Sequence, residues 1–180
     1  MGVSRTPIRD ALGRLASEGF LERLPHRGFR VPEESAGQLL ELYPIVASLE
    51  LLAGKAALER FTPDDLAGLK EINRRLAESK DQGDVRAIVE LNNRFHGLIS
   101  ERSGNHRLSA LLDHLRSQLG RLELWYYSHG ERTQRSIREH EDLIQAIEQG
   151  DRARALEILE SNMSLTYRSL RDGAEDDGGR

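Results

Sequence analysis

The chain has 180 residues, 38% hydrophobic and 31% charged, the make-up of a helix-rich water-soluble protein with room for one ordinary domain, or a small module plus a medium one. It has no cysteine, which excludes disulfides, thiolate metal sites and cysteine nucleophiles; it also lacks a signal-peptide pattern and any apolar run near the roughly 20 residues that span a bilayer, so no membrane partner and a cytoplasmic location are expected. The net charge of −4 is uneven: residues 1–31 hold six arginines against three acids, net +3, which leaves −7 on the remainder and suggests either a polyanion partner at one end only or ordinary surface decoration.

The first stretch is organised around one helix. Ser4 and Thr6 are both candidate N-caps, Pro7 suits the first helical position after Thr6, and Gly19 suits the position just past the end at Glu18. Ile8, Leu12 and Leu15 form an apolar face that leaves Arg5, Arg9 and Arg14 largely elsewhere on the surface. Phe20 to Leu24 alternates like a strand, Pro25-His26-Arg27-Gly28 reads as a turn, and Phe29-Arg30-Val31 returns. A helix followed at once by a two-stranded wing is the second half of a winged helix-turn-helix, whose helix enters the major groove. Arg5 and Arg9 lie one turn apart and can reach neighbouring bases or phosphates. The hydroxyls of Ser4 and Thr6 suit phosphate oxygens, and His26, Arg27 and the Gly28 backbone at the wing tip can approach the duplex closely.

The stretch GVSRTPIRDALGRLASEGFLERLPHRGFRV resembles the end of the DNA-binding domain of GntR-superfamily transcriptional regulators. The likeness lies in the SRTPxRxAL helix start, the LxxEGxLE exit and the xRGxxV wing. It implies two further helices before this point, packed on Ile8, Leu12 and Leu15. Met1 falls inside the turn before the recognition helix, so the module is expected to be partial, spanning residues 1–33.

After Pro32-Glu33-Glu34 the pattern is helical throughout. One helix is expected from Ala36 to about Arg60, with Pro44 as an interior irregularity. Thr62-Pro63 starts a second that ends near Gly83, Asp84 caps a third ending at Ser103-Gly104, and Asn105 caps a long fourth that ends before Gly130. A fifth runs from about Arg132 to Gly150, and Asp151 caps the sixth. The expected fold is therefore mainly all-α: a partial winged helix-turn-helix, then an antiparallel six-helix bundle over residues 34–171, then a disordered tail at 172–180, DGAEDDGGR. The segments ELYPIVASLELLAGKAA, NNRFHGLISERSGNHRL and EHEDLIQAIEQGDRARALEILESNM resemble the C-terminal FCD ligand-sensing domain of the FadR branch of the same superfamily.

Asn92 and His96 are spaced i,i+4 and share a helix face; His140 and Asn162 sit on the last two helices. The resemblance implies that these four converge inside the bundle, at positions where metal-binding members carry one Asp and three His. Such a set takes a divalent ion such as zinc, nickel or manganese. Here Asn replaces ligands at positions 92 and 162, so metal affinity is expected to fall. Three readings stand side by side: a metal on Asn92, His96, His140 and Asn162; a metal-free polar pocket for an organic acid with Arg121 as carboxylate clamp; or buried histidines satisfied by the two asparagines.

The combination points to a regulator that binds operator DNA as a homodimer and senses a small-molecule effector in its helical domain. The alternative is a truncated ligand-binding and dimerisation module that does not bind DNA by itself. An enzyme is not expected: the chain lacks a paired EXXH set, catalytic carboxylates near the histidines and a Gly-rich phosphate loop.

Overall fold

The structure, a computed structural model, describes residues 5–17, 21–25, 27–30 and 36–177, with side chains for all of these except 5, 36 and 173–177. The chain divides into two compact units, residues 1–35 and 36–180.

In the first unit, α1 spans Arg5–Ser17 and is followed by the hairpin strands β1 (Glu22–Leu24) and β2 (Gly28–Arg30). The strands are antiparallel, with Glu22 opposite Arg30 and Leu24 opposite Gly28. Arg30 grips the Glu22 carboxylate through Nε at 2.9 Å and Nη2 at 2.7 Å, which fixes that register on one face of a very short ladder. Gly28 has φ of +94°, a conformation that favours glycine and closes the turn. The helix and the wing form, but α1 starts at Arg5, so Thr6 lies inside it and is not its cap; the expected caps at Ser4 and Gly19 lie outside the described residues. Ile8 and Leu15 are exposed on α1, so its apolar face is not covered by the described residues of this unit.

The second unit holds seven helices among the described residues: α2 (Ala36–Leu40), α3 (Leu42–Ala57), α4 (Pro63–Gln82), α5 (Val85–Arg102), α6 (His106–Tyr127), α7 (Gly130–Glu148) and α8 (Arg152–Asp177). The single helix expected from Ala36 to Arg60 is two, divided at Glu41. Pro44 accounts for the division: it has no N–H to donate to the carbonyl four residues back, at Leu40, and its ring crowds that carbonyl. Pro44 therefore sits in the first turn of α3, where a missing donor costs least.

The remaining boundaries follow local chemistry. Thr62 and Asp65 form a reciprocal capping box: Thr62 N–H donates to Asp65 Oδ2 at 2.9 Å, and Asp65 N–H donates to Thr62 Oγ1 at 3.3 Å. Asp65 also receives Arg102 Nε at 2.7 Å, tying the start of α4 to the end of α5. Asp84, Asn105 and Asp151 accept backbone N–H groups at the starts of α5, α6 and α8. Gly83 ends α4 with φ of +70°. One expectation fails here. Residues 172–177, assigned to a disordered tail, continue α8. A lone Gly173 costs about 1 kcal/mol in a helix, and no proline follows to stop propagation.

Packing is antiparallel between successive helices, with α4 on α5, α5 on α6 and α7 on α8. The middle helix is α3, which contacts α5, α6 and α8 together. Two apolar clusters fill the interior. One gathers Tyr43, Val46, Leu112, Leu119 and Met163; the other gathers Leu69, Phe95, Ile144 and Leu159. Along α5 and α8 the sequence passes from one cluster to the other at Asn92 and Asn162. This handover is where the polar groups of the next section are buried.

Because the Thr62 side chain satisfies an α4 N–H that has no helical partner, Thr62→Ala should lower stability by about 1 kcal/mol, measured by urea unfolding. A change below a few tenths of a kcal/mol would show that the box contributes little.

Candidate functional site

In the first unit the candidate DNA contacts form a partly described set. Thr6, Arg9 and Arg27 are exposed, Gly28 shapes the wing, and Arg9 borders a surface groove with Arg23 and Phe29. Arg5 begins α1, while Ser4 and His26 lie outside the described residues.

In the bundle, charged residues stand at positions where the helical register calls for apolar ones. On α3, Tyr43, Val46, Glu50, Ala53 and Ala57 recur at three- and four-residue spacing and are all buried. On α6 the inward stripe runs Leu112, Arg116, Leu119, Glu123, Tyr126. Crossing helices therefore bring Glu50 and Arg116 together. Arg116 donates through both Nε and Nη2 to Glu50 Oε1, at 2.9 and 2.8 Å, and its Nη1 lies 3.4 Å from Asp113. His96 Nδ1 stands 3.3 Å from the other carboxylate oxygen, Glu50 Oε2, without hydrogen-bond alignment. Burial would push the Glu50 carboxyl up, but His96 and Arg116 beside it outweigh burial and hold it at about 2.

Glu123 has the opposite fate. Its one hydrogen-bond partner among the described residues is the neutral amide of Asn93, whose Nδ2 donates to Oε2 at 2.9 Å. Burial pushes Glu123 up to about 7, against the pull of Asn93, His96 and Arg116, and with Glu50 adding to the rise. These groups line a cavity of about 20 Å³ together with Tyr43, Asn92 and Asn162. That volume is space for about one water-sized group.

Three of the four residues expected to converge, Asn92, His96 and Asn162, line this cavity; His140 does not. His140 instead stacks on Phe95, with ring centroids 3.7 Å apart and planes 9° from parallel. Its Nδ1 is 3.0 Å from Asn73 Oδ1, and Asn73 Nδ2 donates to the Ile137 carbonyl at 3.0 Å. The amide is thus oriented with its oxygen toward the ring, so Nδ1 carries the proton and Nε2 is a bare, buried nitrogen. Burial, with His96 nearby, holds the His140 imidazole well below its ordinary range, so it is neutral.

The implied metal does not fit these residues. Asn162 Nδ2 donates to Glu139 at 2.6 Å, and Asn92 brings no charge. Among the described residues, no three His, Cys, Asp or Glu side chains form a group able to hold an ion. Arg121, expected as a carboxylate clamp, is exposed on α6 and does not line the cavity; Arg116, five residues earlier, takes the inward place. Sequence reasoning passed over Glu50, Arg116 and Glu123, although a charge on an otherwise apolar helical stripe was the available signal.

Comparison with known proteins bears on both units. The FCD domain model matches residues 41–164, and the model of the gntR family of bacterial regulatory proteins matches residues 1–31. The chain belongs to this family of transcriptional regulators. It is 33% identical over 175 residues to the HTH-type transcriptional regulator McbR of Escherichia coli K12, covering 93% of this chain and 78% of McbR. The solved structure of E. coli McbR/YncC superposes with a TM-score of 0.85 at 30% identity, over 96% of this chain and 82% of that one. The HTH-type regulator YdhC of Bacillus subtilis is 27% identical over 86% of this chain and 69% of its own length. GntR-family regulators with FCD domains bind operator DNA and effectors, typically as dimers. No helix among the described residues is long and apolar enough to cross a membrane.

Two outcomes follow from the buried charges. Arg116→Ala leaves Glu50 buried without its cation and should cost about 3–5 kcal/mol in denaturant unfolding, whereas Glu50→Leu combined with Arg116→Met should recover most of that loss. The Glu123 carboxyl is raised in the folded state, so it favours folding fully below the ordinary value of 4.5, and this contribution is lost as pH rises through about 7. The stability difference between the wild type and Glu123→Gln should accordingly decline from pH 4.5 to above 7; a pH-independent difference would contradict this assignment.

Proposed function

We propose that this chain is a subunit of a homodimeric one-component regulator. Residues 1–33 contact operator DNA through Ser4, Arg5, Thr6, Arg9, His26, Arg27 and Gly28, and residues 34–171 hold the effector. The observation that carries this reading is a buried, polar-lined cavity inside an FCD bundle, on the same chain as a helix and wing with exposed Arg9 and Arg27. Asn92, His96 and Asn162 belong to the effector cavity in this reading, joined by Glu50, Arg116 and Glu123, while His140 supports it from the adjoining core. Effector binding shifts the population of dimer geometries, and with it the spacing of the two DNA-binding modules. The bundle senses rather than catalyses, and the place of action is the cytoplasm, where the operator is.

One observation favours a second reading. The exposed Ile8 and Leu15 leave the face of α1 uncovered by the described residues of its unit, which fits a ligand-binding and dimerisation module that does not bind DNA by itself. Fluorescence anisotropy against the promoter fragment beside the gene separates the two. It should be run on this chain and on the chain with any in-frame upstream residues. Salt-sensitive binding is expected, with Arg9→Ala or Arg27→Ala weakening it by about tenfold and lowering the salt slope by about one. Binding by the extended chain alone supports the second reading for this chain, and no salt-sensitive binding by either sinks the regulator assignment.

A further inference from the structure

The cavity's hydrogen-bonding chemistry is one-sided. Three buried atoms among its lining residues have no hydrogen-bond partner among the described residues: Glu50 Oε2, Asn92 Oδ1 and the Tyr43 hydroxyl. Each residue is more than nine-tenths buried. A fourth side of the lining is Glu123, which forms no ion pair among the described residues and meets only the Asn93 amide. The strong donors, by contrast, are engaged. Arg116 directs two N–H groups at Glu50 Oε1 and a third toward Asp113, and Asn162 Nδ2 is bonded to Glu139. The lining therefore offers the Glu50 and Glu123 carboxylates, the Asn92 amide oxygen and the Tyr43 hydroxyl, which can also donate, against the Arg116 guanidinium and the His96 imidazole, whose Nδ1 lies 3.3 Å from Glu50 Oε2.

An anion entering this space would face Glu50 and Glu123 and would find Arg116 occupied. We propose that the cavity takes the ammonium head of a small primary amine, held by Glu50, Glu123, Asn92 and Tyr43. This rests on the reading of the cavity as the effector site. Size supports it: about 20 Å³ accommodates a water-sized group, and an –NH₃⁺ group has that size and carries three donors. A carboxylate is larger and carries none. That space holds the ammonium head with no more than a methyl group, which Val46, Leu119 and Met163 would face.

Charge balance adds a consequence. Glu123 is the buried carboxyl without a matching cation, and burial holds it near 7. The titratable and charged groups facing the cavity are Tyr43 and Glu50 from α3, His96 from α5, and Arg116, Glu123 and Tyr127 from α6; α8 contributes neutral Asn162, Met163 and Thr166, and Glu139 of α7 reaches it through Asn162. When the ammonium arrives, Glu123 ionises and its proton leaves to solvent, so the pair formed is a carboxylate and an ammonium.

The test is calorimetric titration and thermal unfolding of the whole chain with ammonium chloride, methylammonium chloride, sodium acetate, sodium lactate and zinc chloride, each alone. The ammonium and methylammonium salts should bind and raise the melting temperature. Their heats in two buffers of different ionisation enthalpy should reveal proton release just below pH 7. Glu123→Gln, near-isosteric with the protonated carboxyl, should weaken amine binding by about tenfold or more and abolish the proton release, with an unchanged circular dichroism spectrum. Unchanged amine binding in that variant overturns the proposal, as does a lack of response to every compound. Binding of the carboxylates or zinc but not the amines also overturns it, yet leaves the effector-site reading standing. Amine binding without any operator binding does the reverse: it supports the amine and removes the regulator.

Discussion

The bundle depends on one buried ion pair. Glu50 and Arg116 come from helices that cross in the middle of the protein, and neither has water to fall back on. Desolvating two charges is expensive, and their attraction offsets it only if the geometry is good and the remaining polar atoms are satisfied. The first condition is met by the two guanidinium hydrogen bonds to one oxygen. The second is met only in part, since Glu50 Oε2 has His96 nearby but no aligned donor. A core built for stability alone would place leucines here. The pair instead fixes how α3 lies on α6, and the cavity exists because these side chains cannot close against each other as hydrocarbons would.

The polar cluster divides into groups with different chemistry. Glu50 is held ionised by its neighbours, while Glu123, one helix away and equally buried, has no such partner and is raised. His96 faces the cavity, whereas His140 is locked by Asn73 and by its stack on Phe95. The His96 and His140 rings nevertheless lie edge to face, with centroids 5.4 Å apart. Among the described residues no three His, Cys, Asp or Glu side chains form a group able to hold an ion, and carboxylates and amides are among the groups that bound the cavity.

Much of the fold was legible in the sequence because it is written locally. Thr62, Asp84, Asn105 and Asp151 begin helices by accepting nearby backbone N–H groups, and the helix-and-wing pattern of the first unit is equally short-ranged. Pro44, an interior irregularity in the sequence pattern, divides the first bundle helix in two. The candidate site was less legible because pairing across helices is not local. Asn92 and His96 were found by their i,i+4 spacing, but Glu50 and Arg116 are 66 residues apart, and only packing tells that both face inward. Arg121 and Arg116 lie on one long amphipathic helix, and the five-residue difference, about one and a half turns, decides between solvent and core.

The division at Glu41 bears on how the bundle can deform. A helix resists bending because every turn is clamped by N–H to C=O rungs, and Pro44 removes the rung that would tie α3 back to Leu40. The stiffness of the segment is therefore lowest just before Tyr43, whose side chain forms part of the cavity lining and packs near Tyr167 of α8. Below that joint, α2 rests on α6 and α8 through Leu39 and Leu40. The joint between α2 and the Tyr43 end of α3 therefore lacks one of the rungs that hold a continuous helix rigid.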